Sequence, residues 1–297
     1  MKTEQLYGTG VALVTPFAED GSVDLPALRR IVRHCIDGGV DYLVVLGTTG
    51  EAVTLDESEK TRVVQTVIDE NNGSLPLVIG IGGNNTARLV DELKKSDLSA
   101  FTAVLSVSPY YNKPTQEGIY RHYQALADAS PLPVILYNVP GRTGSNMLPS
   151  TVARIARDCP NVVAIKEACG NMDQIRELIR TVPEGFNVIS GDDITALPTI
   201  LEGGIGVISV LGQGMPVQMS SLVRHGLNGE YDKAQQIHEA LKPGMDLIFQ
   251  EGNPAGIKAI FELLGISGAG VRLPLVEASP QLKSKISSFI EPFAITI

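Results

Sequence analysis

Eight short apolar runs, at residues 11–14, 42–46, 77–81, 103–107, 134–137, 162–165, 187–190 and 206–210, alternate with stretches of helical spacing. The helical stretches fall at 25–37, 57–70, 86–95, 117–128, 150–158, 174–181 and 196–202. A run such as Tyr42-Leu43-Val44-Val45-Leu46 is apolar on both faces. That suits a parallel sheet covered on each side, which repeated strand–helix units require. Eight such units close most simply into a (β/α)8 barrel, an α/β fold of the TIM-barrel type. An open doubly wound sheet is the competing architecture, and no second nucleotide motif favours it. Beyond residue 210 the patterning stays helical, at 219–226, 231–249 and 254–264. The expected organisation is a barrel over 1–225 and a C-terminal helical subregion over 226–297, packed on the barrel without a Pro- or Ser-rich linker.

Composition removes several classes of function. With 43% hydrophobic and 19% charged residues the chain reads as globular, neither disordered nor membrane-embedded. A formal charge of -9 opposes a nucleic-acid partner, whose phosphates select clustered Lys and Arg. The first seven residues carry Lys2 and Glu4 and lack the apolar run of a secretory signal, so a cytoplasmic location is expected. Cys35, Cys159 and Cys169 have no CxxC spacing and are expected to be reduced, mostly buried thiols. His34, His122, His225 and His238 lie in helical patterns rather than at strand ends, which disfavours a metal site and places them on helix surfaces.

In a barrel of this kind chemistry gathers at the C-terminal strand ends. There this chain has Thr15, Gly47-Thr48-Thr49-Gly50-Glu51, Ser108-Pro109-Tyr110-Tyr111-Asn112, Tyr137-Asn138, Lys166-Glu167, Gly191-Asp192-Asp193 and Ser209. Lys166 follows the apolar 162–165 run, which sets its amine in a desolvated barrel mouth. Desolvation favours the neutral amine, and a neutral amine attacks a ketone to form an imine. A barrel lysine paired with an acid is an equally good reading of Lys166 alone, although alternation along a strand turns the adjacent Glu167 to the other face. Tyr137 ends the neighbouring strand and is a proton-shuttle candidate, with hydroxyl partners available at Thr48 and Tyr111. Arg142 offers a bidentate carboxylate receptor in the loop after the fifth run. The 47–51 turn supplies amides and hydroxyls for a second carboxylate.

Two glycine clusters are set aside. The stretch 80–85, Gly-Ile-Gly-Gly-Asn-Asn, approximates a dinucleotide fingerprint but has Asn at its last glycine position. The glycines at 203, 204 and 212 lack a nearby cation for a phosphate.

The set formed by residues 47–51, Pro109-Tyr110-Tyr111, the 137–144 segment and Lys166-Glu167 resembles the dihydrodipicolinate synthase and N-acetylneuraminate lyase family. The resemblance extends to Asn253-Pro254 with Lys258 and to Arg272-Leu273-Pro274-Leu275, and so spans nearly the whole chain. Thr48-Thr49 together with Arg142 is similar to the synthase branch, which condenses pyruvate with aspartate semialdehyde for lysine biosynthesis. The resemblance implies that Lys166 forms the imine, that Tyr137, Thr48 and Tyr111 relay protons, that Thr49 and Arg142 hold the two carboxylates, and that Gly191 and Ile208 line the site through their carbonyls. It implies no metal or organic cofactor, and a homodimer or homotetramer in which Tyr111 enters the neighbouring site.

The same resemblance exposes a departure. Lysine-inhibited members carry Ser, His and His where this chain has Ala52, Glu57 and Lys60, and Glu where it has Arg88, while Asn84 and Tyr110 are kept. Arg88 removes an acidic partner for lysine's ammonium, so weak or absent lysine inhibition is expected. Three other readings stand beside the synthase: a sibling aldolase for sialic or sugar acids, a catalytically silent binding barrel, and a metal-dependent aldolase.

Overall fold

The computed structural model describes residues 3–296. Its strands β1 (Gly8–Ala12), β2 (Tyr42–Val45), β3 (Leu77–Gly80), β4 (Ala103–Val107), β5 (Val134–Asn138), β6 (Val162–Glu167), β7 (Asn187–Ser190) and β8 (Gly206–Ser209) run parallel and close into a barrel in sequence order. The covering helices are α1 (Leu25–Asp37), α2 (Glu57–Asn71), α3 (Thr86–Lys95), α4 (Gln116–Ala129), the single turn α5 (Pro140–Thr143), α6 (Pro149–Asp158), α7 (Met172–Thr181) and α8 (Asp193–Leu201). After β8 come α9 (Pro216–Leu227), α10 (Tyr231–Gln250), α11 (Ala255–Leu263) and α12 (Pro280–Ile290). The chain is therefore the expected (β/α)8 barrel with helices appended at its C-terminus.

Local chemistry explains most of the boundaries. Helix α2 starts at a capping box in which Asp56 accepts from the Glu59 amide and Glu59 reaches back to the Asp56 amide. Asn85, Thr115 and Asn171 cap α3, α4 and α7 with side-chain oxygens. Helix α9 packs on β1, β8 and α8 and runs across residue 225, so the chain passes from barrel to C-terminal helices without a break. Helix α12 lies against α10 and α11 and escapes a periodicity reading because only Leu282 and Ile286 of its residues are buried.

Two apolar layers follow from strand alternation. Tyr42, Val44, Val78, Leu105, Ile135 and Ile189 fill the barrel, whereas Leu43, Val45, Ile79 and Val104 pack outward against helices. Strand β1 spans 8–12 rather than the 11–14 run, because it pairs through its glycines. Gly8 lies opposite Gly206 in β8 and Gly10 opposite Tyr42 in β2. A β-carbon on Gly10 would strike the Tyr42 ring that fills the barrel floor. Strand β2 stops at Val45 because Leu46 turns to a positive φ of 56°.

The histidines depart from expectation. His122 and His238 are buried, at 4% and 7% exposure, because α4 and α10 are covered by neighbouring helices. His122 meets the Thr86 hydroxyl of α3 at 2.8 Å, and burial pushes its pKa down to about 4. Cys35 and Cys159 are buried and Cys169 is half-buried, all as free thiols. Among the described residues no helix is long and apolar enough to cross a membrane.

Barrel closure supplies a test. Gly206 sits at φ +143°, and a β-carbon there would fall on the Gly8 carbonyl across the β8–β1 seam. Gly206→Ala is expected to destabilise the fold by roughly 3 kcal/mol or more. Urea unfolding measures it, and an unchanged midpoint would contradict this account of the seam.

Candidate active site

Whether Lys166 faces the barrel interior is decided by an irregularity upstream of it. Val134 pairs with Val162, but the next residue, Ile135, pairs with Ala164, so β6 carries a bulge at Val163. Val163 and Ala164 both belong to the interior cluster, whereas Val162 and Ile165 pack outward. Simple alternation from Val162 would have turned Lys166 outward; the extra residue re-phases the strand and sends it in. Its neighbour Glu167 then points out, where it accepts from the Asn138 side-chain amide at 2.9 Å, from Gln174 of α7 at 3.1 Å and from the Cys169 amide at 2.9 Å. Glu167 is thus no partner of Lys166. It ties the ends of β5 and β6 together.

Lys166 is 4% exposed and lies opposite Tyr137 in the β5–β6 register, its Nζ 4.4 Å from the phenol ring centre. Burial pushes its pKa down to about 8, with the Arg142 charge acting the same way and Asp193 and Asp192 opposing. The Tyr137 phenol is pushed up by burial, while Arg142 and the Thr48 hydroxyl pull it back. Gly191 is glycine for a steric reason. A β-carbon there would lie 3.0 Å from the Lys166 Cγ and 2.8 Å from the Ala168 Cβ. Ile208 of β8 is fully buried in the same interior cluster.

The 47–51 segment forms a 3-10 turn over Thr48–Gly50 and ends at Glu51 in the left-handed region, φ 51°. Thr49 is buried and accepts from the Asn253 side-chain amide at 2.9 Å. Arg142, on α5, donates to the Asn253 carbonyl at 3.4 Å. Lys166, Tyr137, Thr48, Thr49, Arg142, Gly191 and Ile208 therefore gather around one end of the barrel. Tyr111 does not join them within this chain. It is 89% exposed, at φ 66°, in the loop after β4.

The six residues read as a regulatory pocket lie on the surface. Glu57 meets Lys60 at 3.0 Å and Arg88 at 3.4 Å, Asn84 accepts from the Tyr110 amide at 2.8 Å, and Ala52 opens the short turn Ala52–Thr54. Glu57 thus already has two cations, both in exposed pairs of the kind that contribute little to stability.

The sequence names several further residues without showing the supporting roles they have here. Asp193 accepts from the Ser209 hydroxyl and from the amides of Val210 (3.2 Å) and Leu211 (2.8 Å), and burial raises its pKa to about 6. Glu51 forms a fully buried pair with Lys258, 2.5 Å away and 207 residues later. Asn253 is the third. For Asp193 the one available signal was its place in Gly191-Asp192-Asp193 after the seventh run. No group of three or more His, Cys, Asp and Glu side chains able to hold a metal is assembled among the described residues.

The dihydrodipicolinate synthetase family model matches residues 5–292. The chain belongs to this family. It is 59% identical to the 4-hydroxy-tetrahydrodipicolinate synthase of Flavobacterium psychrophilum over 286 residues, 96% of this chain and 98% of that one. Its fold superposes with a TM-score of 0.94 on a monomeric dihydrodipicolinate synthase variant, at 40% identity and 97% of each chain. It likewise superposes on the chloride-inhibited dihydrodipicolinate synthase of Acinetobacter baumannii complexed with pyruvate, with a TM-score of 0.93, 38% identity, and 97% of this chain and 99% of that one.

In this family member the lowered lysine pKa is directly measurable. Acylation of Lys166 followed across pH by peptide mass mapping is expected to have its midpoint near 8. Arg142→Ala removes a cation and is expected to move that midpoint upward. A midpoint above 10 in the unmodified chain would refute the desolvation argument.

Proposed function

We propose that this chain condenses pyruvate with L-aspartate 4-semialdehyde to give 4-hydroxy-tetrahydrodipicolinate, in the diaminopimelate route to lysine. The observation that carries the reading is a desolvated amine, Lys166, facing a phenol, Tyr137, on the adjacent strand. The neutral amine adds to the pyruvate ketone, water leaves, and an imine forms. Loss of a methyl proton gives the enamine, whose carbon attacks the semialdehyde's aldehyde and whose new alkoxide takes a proton. The semialdehyde amine then adds to the imine carbon and expels Lys166, closing the ring. One water is released overall, and the lysine returns unchanged.

Each residue has a part in this sequence. Tyr137 moves protons, with Thr48 and Tyr111 as hydroxyl partners; Thr49 holds the pyruvate carboxylate and Arg142 that of the semialdehyde. Gly191 and Ile208 line the pocket through their carbonyls. No metal or organic cofactor enters the scheme. The exposure of Tyr111 supports a homodimer or homotetramer in which it reaches a neighbouring site, and the activity belongs in the cytoplasm. Arg142 favours the semialdehyde over the aldoses and sialic acids used by sibling aldolases.

Borohydride reduction with pyruvate present is expected to add the reduced pyruvate adduct to the Lys166 peptide alone; an unmodified peptide would sink the mechanism. Tyr137→Phe is expected to lower kcat by roughly 100-fold or more while that trapping persists. The rate should rise with pH through about 8 as Lys166 loses its proton. Regulation gives a separate test. With Glu57 held by Lys60 and Arg88, free lysine is expected to inhibit weakly or not at all, and a low-micromolar inhibition constant would overturn that.

A further inference from the structure

Two bonds join the 47–51 turn to a single distant segment, residues 253–258. Asn253 donates from Nδ2 to the Thr49 hydroxyl oxygen at 2.9 Å, and Lys258 donates to the Glu51 carboxylate at 2.5 Å. The second bond is buried on both sides, at 0% and 2% side-chain exposure. Lys258 also donates to the Gly270 carbonyl at 2.8 Å, and Glu51 accepts from the Arg272 amide at 3.0 Å. Asn253 serves the other carboxylate receptor as well, since its carbonyl accepts from Arg142 at 3.4 Å. One residue thus touches both side chains assigned to substrate carboxylates, while the ion pair behind it holds the backbone on which one of them sits.

Hydrogen-bond polarity gives this contact a chemical meaning. A threonine hydroxyl has one proton to donate. Because Thr49 accepts from Asn253, that proton is left to donate elsewhere, and a carboxylate needs donors. Asn253 is itself 7% exposed, and its Oδ1 is buried with no partner among the described residues, so the amide is held where only its donating half is used.

We propose that Asn253 is a positioning residue for pyruvate binding: by donating to the Thr49 hydroxyl it commits the Thr49 proton to the substrate carboxylate, and the Glu51–Lys258 pair fixes the turn that makes this possible. The inference rests on the reading of Lys166 and Thr49 given above. Asn253→Ala removes the donor and is expected to raise KM for pyruvate roughly five- to tenfold, the scale of one lost hydrogen bond, with kcat changed far less. Asn253→Asp keeps the shape but makes the partner an acceptor, which draws the Thr49 proton away. Its KM is expected to exceed that of the alanine variant, whereas a purely structural role predicts that the isosteric aspartate does better.

A double-mutant cycle separates this effect from simple repulsion by the new charge. In a Thr49→Val background Asn253→Ala and Asn253→Asp are both expected to add almost nothing to KM, because Asn253 acts through that hydroxyl, whereas repulsion by the aspartate would persist there. Circular dichroism and thermal unfolding establish that each variant is folded. Additive effects, or a kcat loss at unchanged KM, would overturn the inference. Failure of the unmodified chain to be trapped by pyruvate and borohydride would instead overturn the functional reading beneath it.

Discussion

Taking the Lys166 ammonium out of water is the term on which the rest of the site depends. Burial brings its pKa down to about 8, which corresponds to the ammonium losing about 3 kcal/mol relative to its stability in water. That shift arises because Lys166 is buried at 4% exposure on a strand whose interior face packs among apolar barrel residues. The groups around it moderate the shift rather than cause it. Arg142 pushes in the same direction, and the buried Asp193 pulls back. Asp193 is in turn held by a hydroxyl and two amides, so its carboxylate is fixed in place near the Lys166 amine.

The site's other half is held by a separate device. The 47–51 turn leaves the barrel at Leu46, in a left-handed conformation, and ends at Glu51, in another. Left-handed non-glycine residues are disfavoured, so the turn needs outside support. The C-terminal segment supplies it, through Lys258 on α11 and through Arg272, whose amide donates to Glu51 at 3.0 Å while its guanidinium is anchored by Glu59 at 2.5 Å and the Gly21 carbonyl at 2.7 Å. Both cations also lie over the Phe17 ring. A buried pair such as Glu51–Lys258 gains little net stability, because desolvation offsets its attraction, but removing either member strands a charge. The pairing therefore specifies an arrangement more than it strengthens the fold. The helices after the barrel act as a brace for a loop of the second strand.

Much of this architecture was legible in the sequence. Eight apolar runs, their parallel character and the polar residues following them place Lys166, Tyr137, Thr48, Thr49 and Arg142 at one end of a barrel. The misreadings have physical causes. The apolar pattern starts the first strand late, at residue 11, because Gly8 and Gly10 carry no apolar signal, yet their lack of a β-carbon is what lets β1 approach β8 and the Tyr42 ring. The pattern puts His122 and His238 on helix surfaces, and both are buried, because a helical pattern says nothing of what covers the helix from outside. Helix α12 carries no readable periodic stripe, because only two of its residues are buried.

The sequence by itself determined which chemical groups stand at the strand ends and that the strands close into a barrel, because both follow from local hydrophobic pattern and chain order. It places the Lys166 amine in the barrel mouth but holds no reason for that orientation, since simple alternation from Val162 turns the side chain outward. The orientation is decided by the register slip at Val163, a property of the pairing between two strands and not of either one. Nor did it reveal that Thr49 and Glu51 are held by Asn253 and Lys258, since residues some two hundred positions apart become neighbours only when the barrel closes and the last helices fold back across it.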